Sequence, residues 1–182
     1  MQIEFELKVL DIDLDKIRIK LRDLGAQFVG ERKMRRYVYD FNPVKKNSWI
    51  RLRDEGGNVN LTVKEIQHDG VDGTKELEVA VGDFDKMHLM LEKLGYAARA
   101  YQENWRESYL YNGVMLELDS WPMIPAYLEI EAASEVAVME VLKELNLDES
   151  KVTSENTTKV YARYGIDIHA IKELRFENEI YI

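Results

Sequence analysis

The chain has 182 residues, 46% hydrophobic and 32% charged, a composition that suits one domain, or two small lobes, around a sizeable core. Its formal net charge of −9 argues against non-specific nucleic-acid binding, which needs a basic surface. The absence of cysteine excludes disulfides, thiolate nucleophiles and cysteine-held metals, and the absence of any signal-like or membrane-length apolar run makes a cytoplasmic address, with no membrane partner, the expectation.

From Ile3 to Val9 apolar and charged residues alternate, the pattern of a strand with two unlike faces. Leu14, Ile17, Leu21 and Leu24 then follow helical spacing, and Gly25 is a stop signal. Gln27 to Phe41 reads as a long, irregular strand ending at Asn42-Pro43. Trp49–Arg53, Asn60–Ile66 and Lys75–Val81 are further strands, separated by turns at Gly56–Asn58 and around Gly70 and Gly73. Asp83 is a candidate N-cap for a helix over Phe84–Leu94, closed by Gly95. A strand over Tyr101–Tyr111 meets Val114–Trp121 through the hairpin turn Asn112-Gly113. Tyr127–Ala132 follows a stiff loop from Pro122 to Pro125. Ser134 caps a helix to about Leu145, a last helix spans roughly Ser154–Tyr164, and the tail to Ile182 is ambiguous. The short matching stretches LRDLGAQF and LEKLGYAA suggest two similar lobes, about 1–82 and 83–182, within a single domain 1–182.

The strands share one property. Arg51 and Arg53 alternate with Ile50 and Leu52, Glu76 and Glu78 with Leu77 and Val79, Glu117 and Asp119 with Leu116 and Leu118, and Glu129 and Glu131 with Leu128 and Ile130. One reading is a plain antiparallel sheet whose charges meet water. The signs are sorted, however: acids on some strands, and Arg51, Arg53, Lys64 and Arg106 on others. If helices cover the apolar faces, the sheet closes with its charges around a hydrated lumen. Arg and Lys converging there make charge-assisted bonds to phosphate oxygens. Opposing carboxylates hold a hard divalent cation, so a polyphosphate–metal complex uses both signs at once. Tyr37, Tyr39, Tyr101, Tyr109 and Tyr111 are open to two readings, base-stacking rings or strand-core aromatics. His68, His88 and His169 are scattered without metal-ligand spacing.

Glu4-Phe5-Glu6-Leu7-Lys8 has the ExExK form, and it is followed in order by RLR at Arg51–Arg53, Lys64, ELE at Glu76–Glu78, Arg106, LELD ending at Asp119 and LEIE at Leu128–Glu131. This ordered set, over about residues 2–165, resembles the CYTH superfamily of triphosphate tunnel metalloenzymes. The resemblance implies an α+β fold: an eight-stranded antiparallel closed barrel with a polar lumen and helices outside. It implies phosphate binding by Lys8, Arg51, Arg53, Lys64 and Arg106, with Lys159 able to plug one end of the tunnel. It implies metal binding by Glu4, Glu6, Glu129, Glu131 and Asp119, with Mg²⁺ or Mn²⁺ as cofactor. Asp119 can alternatively tune a neighbouring arginine. Glu6, Glu131 and Lys8 are the candidate catalytic residues. Many members have KxR where this chain has Asn104-Trp105-Arg106, so one cation is replaced by an amide, and strand parity keeps Arg99 from substituting unless the strand bulges.

The function expected from the resemblance is metal-dependent hydrolysis of a triphosphate: inorganic triphosphate, a nucleoside triphosphate or thiamine triphosphate. A class IV adenylyl cyclase, converting ATP to cyclic AMP and pyrophosphate, is one alternative, and a non-catalytic polyphosphate- or nucleotide-binding module is another. The expected partner is a triphosphate-containing small molecule rather than nucleic acid. An exposed apolar edge would favour a homodimer, for which the sequence holds no isolated signal.

Overall fold

The computed structural model describes residues 1–176, except for the side chains of Gln2, Ile3 and Glu4. Among the described residues the elements run β1 (Gln2–Val9), α1 (Leu14–Leu24), β2 (Gln27–Tyr39), β3 (Ser48–Asp54), β4 (Val59–Ile66), β5 (Thr74–Val81), α2 (Phe84–Lys93), β6 (Ala98–Tyr111), β7 (Val114–Ser120), β8 (Tyr127–Ala132), α3 (Glu135–Leu145), β9 (Val152–Thr153), α4 (Thr157–Arg163) and β10 (Glu173–Leu174). The class is α+β, as expected. The caps read from sequence form: the side chains of Asp13, Asp83 and Ser134 accept from the backbone N–H groups of Lys16, Lys86 and Ala137, and Gly25 takes the left-handed conformation after α1.

The strands make one curled sheet in the order β10-β6-β2-β3-β4-β5-β1-β8-β7, with β9 added on β1. All of these pairs are antiparallel except β10 with β6. β7 also pairs with β6, from Trp105 opposite Ser120 to Tyr111 opposite Val114. Each of the eight long strands therefore pairs with two other long strands.

Three details differ from the sequence reading. β6 begins at Ala98, before Tyr101, because its pairing with β2 continues past a register shift at Val38/Tyr39 that hides the alternation. α4 begins at Thr157, not Ser154: Asn156 is its cap, and the Ser154 hydroxyl instead donates to the Asp69 carbonyl at 2.5 Å. The tail holds a 3-10 turn at Ile168–Ala170 and the short β10, and β9 is equally brief, so none of them offers a period to detect. Residues 177–182 of that ambiguous tail lie outside the described residues.

Helices cover the outer, apolar face of much of the sheet. Leu7, Leu116, Leu128 and Ile130 pack under Leu21 of α1 and Val138 of α3. Ile50 and Leu52 pack under Phe84 and Leu91 of α2. A fully buried aliphatic side chain contributes about 1.5–3 kcal/mol, so this face fixes which way each strand turns its side chains. The cover is incomplete on β5, where Leu77 is 55% and Val79 53% exposed. A third cluster, with Trp121, Tyr127, Val160 and Tyr161, locks α4 and the proline loop together, and the Tyr161 hydroxyl donates to the Pro122 carbonyl at 2.7 Å. The Pro122–Pro125 loop is thus packed down by α4. No helix among the described residues is long and apolar enough to cross a membrane.

Candidate active site

With the apolar residues turned outward, strand alternation sends the intervening charged residues to the opposite face. There they line a cavity of about 580 Å³. Of the residues singled out from sequence, Glu6, Lys8, Arg51, Arg53, Lys64, Arg106, Glu129, Glu131 and Lys159 all contribute to its wall. Glu4 lies on β1, and its side chain is outside the described residues. Asp119 is fully buried behind the wall.

Cross-strand register sets the geometry. Glu6 sits opposite Glu131 and Lys8 opposite Glu129 across β1 and β8. Lys8 is 2% exposed, and its ammonium lies 3.0 Å from Glu6 Oε1 and 3.2 Å from Glu129 Oε2. Burial acts to lower its pKa, but the two carboxylates outweigh burial and hold it above the ordinary lysine range. Burial acts to raise the pKa of Glu129, and Lys8 and Arg106 instead hold it well below the carboxylate range.

Arg106 is gripped by Asp119, with Nε to Oδ1 at 2.8 Å and Nη2 to Oδ2 at 2.5 Å, and it reaches Glu129 at 3.0 Å and Glu117. Asp119 also accepts from Asn104 Nδ2 at 3.1 Å. Both oxygens of Asp119 are thus spent on neighbouring side chains. On the other side of the cavity, Arg51 lies 3.5 Å from Glu78 and 3.9 Å from Glu76, and Lys64 pairs with Glu76. Thr62 donates to Glu78 at 2.7 Å. Arg53 pairs with Glu55, yet burial, followed by the charge of Arg51, pushes its pKa down to about 9. Lys159 stands at the mouth, where Asp69 receives its ammonium at 2.5 and 2.6 Å, apart from the arginines.

The carboxylates suit a hard cation. Glu6 and Glu131 are like charges directly opposite each other, and a cation between them would offset their repulsion as Lys8 already does beside Glu6. Among the described residues, no group of three histidine, aspartate or glutamate side chains already forms a metal cage.

The five tyrosines open to a base-stacking role do not line the cavity. Tyr37, Tyr39 and Tyr101 join Phe84 and His88 in an aromatic cluster, with Tyr37 stacked on His88 at 3.9 Å. Tyr109 packs on Phe28, and Tyr111 donates to Glu144. The aromatic residues in the wall are Trp49, Trp121 and Tyr127.

A CYTH domain family model matches residues 2–162. The chain belongs to the CYTH family. It is 29% identical over 165 residues to a protein of Methanocaldococcus jannaschii named "Putative adenylate cyclase MJ0240", covering 82% of this chain and 93% of that one. A conserved hypothetical protein from Pyrococcus furiosus superposes with a TM-score of 0.74 at 26% identity, over 85% of this chain and 97% of that one. The PH1012 protein from Pyrococcus horikoshii OT3 superposes with a TM-score of 0.74 at 24% identity, over 84% and 96% of the two chains.

Within this CYTH chain the structure adds residues that the sequence pattern did not single out. Arg36 lines the cavity, whereas its neighbour Arg35 faces away, to Asp54 at 3.1 Å and over the Phe84 ring at 4.3 Å. Two adjacent arginines in an irregular strand give no parity signal, so sequence alone could not choose between them. Arg99 is the unpaired residue of the bulge between Ala98 and Ala100, and it reaches the mouth in a 2.5 Å pair with Asp40. Glu117 accepts from Ser108 at 3.1 Å and pairs with Arg106, deeper than the cavity.

Proposed function

We propose that the chain is a divalent-metal-dependent enzyme that binds a triphosphate inside a closed eight-stranded tunnel and hydrolyses it. The observation that carries this reading is the convergence of Lys8, Arg51, Arg53, Lys64 and Arg106 on one cavity that also presents Glu6, Glu129 and Glu131. A purely structural salt-bridge lattice would have no need of so roomy a space. The pairing of β7 back to β6 supports the tunnel. The two-lobe organisation, about 1–82 and 83–182, is part of the reading, since α1 and α2 each precede a long strand and those strands, β2 and β6, pair with each other.

In this mechanism the cations bind the phosphate oxygens and align the terminal phosphorus for in-line attack by water. Glu6 or Glu131 positions that water and accepts its proton as the bond to the bridging oxygen breaks, leaving inorganic phosphate and releasing the diphosphate part with that oxygen. Asp119 holds the Arg106 fork in place. Glu6, Glu129 and Glu131, together with Glu4, would hold Mg²⁺ or Mn²⁺, whose charge would neutralise phosphate oxygens when bound. The cytoplasm, where triphosphates and these ions meet, is the setting of this activity.

The name of the Methanocaldococcus relative favours a second reading, cyclisation of ATP with release of pyrophosphate. Incubating the protein with inorganic triphosphate, thiamine triphosphate and ATP, with Mg²⁺ or Mn²⁺, separates the two. Phosphate as the product supports hydrolysis. Cyclic AMP with pyrophosphate replaces it with the cyclase. Binding without any product leaves only a capture module.

A further inference from the structure

Arg36 is the anomaly of the cavity. On β2 it lies opposite Arg53 of β3 and Gln102 of β6. Its guanidinium rests on the Trp121 ring, 4.1 Å from the centroid. Nε and Nη2 are shut off from solvent and have no hydrogen-bond partner among the described residues. Its near neighbours include more cations: burial first, then Arg51 and Arg53, push its pKa down to about 9, so it still carries its charge at neutral pH. A buried guanidinium left unsatisfied is costly, and a native fold keeps one where a ligand supplies the missing acceptors.

The neighbouring strand shows what is lacking. Asn104 is 2% exposed, and its amide is spent on Asp119 at 3.1 Å and Met34 Sδ at 3.8 Å, so it offers no donor to an anion. It does not line the cavity. Position along the strands matters too. Arg36, Arg53 and Arg106 belong to the wall, whereas Arg32 and Glu117, further along β2 and β7, do not, and they pair with each other at 3.8 Å. Arg36 is therefore the innermost wall residue of β2, level with Arg53 of β3, while on β6 the wall continues to Arg106, which lies opposite Arg32. Arg51 and Arg53, two residues apart on one strand, are separated by about 7 Å. A linear triphosphate spans that separation better than a pyrophosphate does.

We propose that Arg36 binds a phosphoryl group beside Arg53, where the β2 wall of the cavity ends, and so selects chains of three or more linked phosphates over shorter ones. This rests on the triphosphate reading above and adds the residue that measures chain length. The flat fork of Arg36, braced on Trp121, suits two oxygens of one phosphoryl group.

The test is calorimetric titration of inorganic triphosphate and of pyrophosphate, in EDTA and again with Mg²⁺, into wild type, Arg36→Met and Arg36→Lys, alongside melting curves without ligand. Arg36→Met should weaken triphosphate about tenfold or more and pyrophosphate far less, and it should melt above wild type when empty. Arg36→Lys, which keeps the charge but not the fork, should lose part of the triphosphate affinity, and it carries the comparison if Arg36→Met does not fold. Unchanged triphosphate affinity, or an equal loss for both ligands, would overturn the proposal. Lower melting of both variants would make Arg36 a structural residue and overturn it as well. If wild type binds neither ligand under either condition, the triphosphate reading itself fails.

Discussion

Asp119 is fully buried and yet exposes none of its charge to the cavity, because its oxygens hold Arg106 and Asn104. Removing one member of such a buried pair strands the other, at a cost of about 3–5 kcal/mol. Asp119→Ala should therefore lower the urea midpoint by a corresponding amount and reduce activity, because Arg106 loses its orientation. Glu129 gives a pH prediction. Its folded pKa lies below the ordinary value of 4.5, so the unfolded chain binds its proton first as pH falls. The stability it contributes is present above about pH 4.5 and is lost as pH drops toward the folded pKa. Urea melts of wild type and Glu129→Gln should converge as the pH is taken from 6 to 3, and parallel curves would contradict the assignment.

Within a single element, β8 separates fold from function by alternation. Ile130 is fully buried against the α1 and α3 layer, whereas Glu129 and Glu131 on either side face the cavity. Ile130→Ala should cost about 2–5 kcal/mol through the cavity it leaves, measured as a shift in denaturant midpoint. Glu131→Ala should do the reverse. Glu131 is half-buried on the cavity side, outside that apolar layer, so stability without ligand should fall less than for Ile130→Ala, while metal-dependent turnover should fall about 100-fold or more. Full metal-dependent activity in that variant would remove Glu131 from the mechanism. The same alternation explains the outer aromatic cluster: Tyr37, Tyr39 and Tyr101 are on the faces that α2 and neighbouring side chains cover.

For the whole molecule, strand order sorts the charge. β6, β2, β3 and β4 are contiguous and carry Arg106, Arg36, Arg51, Arg53 and Lys64; β5, β1, β8 and β7 are contiguous and carry Glu76, Glu78, Glu6, Glu129, Glu131, Glu117 and Asp119. A basic half of the sheet thus adjoins an acidic half, with Lys8 as a cation set among the acids. Apart from Arg36, the charges of such a cavity are largely paired with one another, and it gains most when anion and cation enter together. Triphosphate with Mg²⁺ should raise the melting temperature more than either alone, and EDTA should remove most of the difference. At one hundred times Kd the stabilisation is about 2.7 kcal/mol.

Sequence by itself determined the parity of the regular strands, the helix caps and the ordered acid and base motifs, because these depend on local spacing and on short-range backbone bonding. Arg51, Arg53, Glu129 and Glu131 could be read as one-faced from their alternation with Ile50, Leu52, Leu128 and Ile130. Only the tertiary structure decided that Arg36 rather than Arg35 faces the cavity, that a bulge brings Arg99 to the mouth, that Asp69 holds Lys159, and that basic and acidic strands gather into two contiguous sets. Those outcomes depend on register shifts and on the pairing of strands far apart in the chain, and local periodicity carries no record of either.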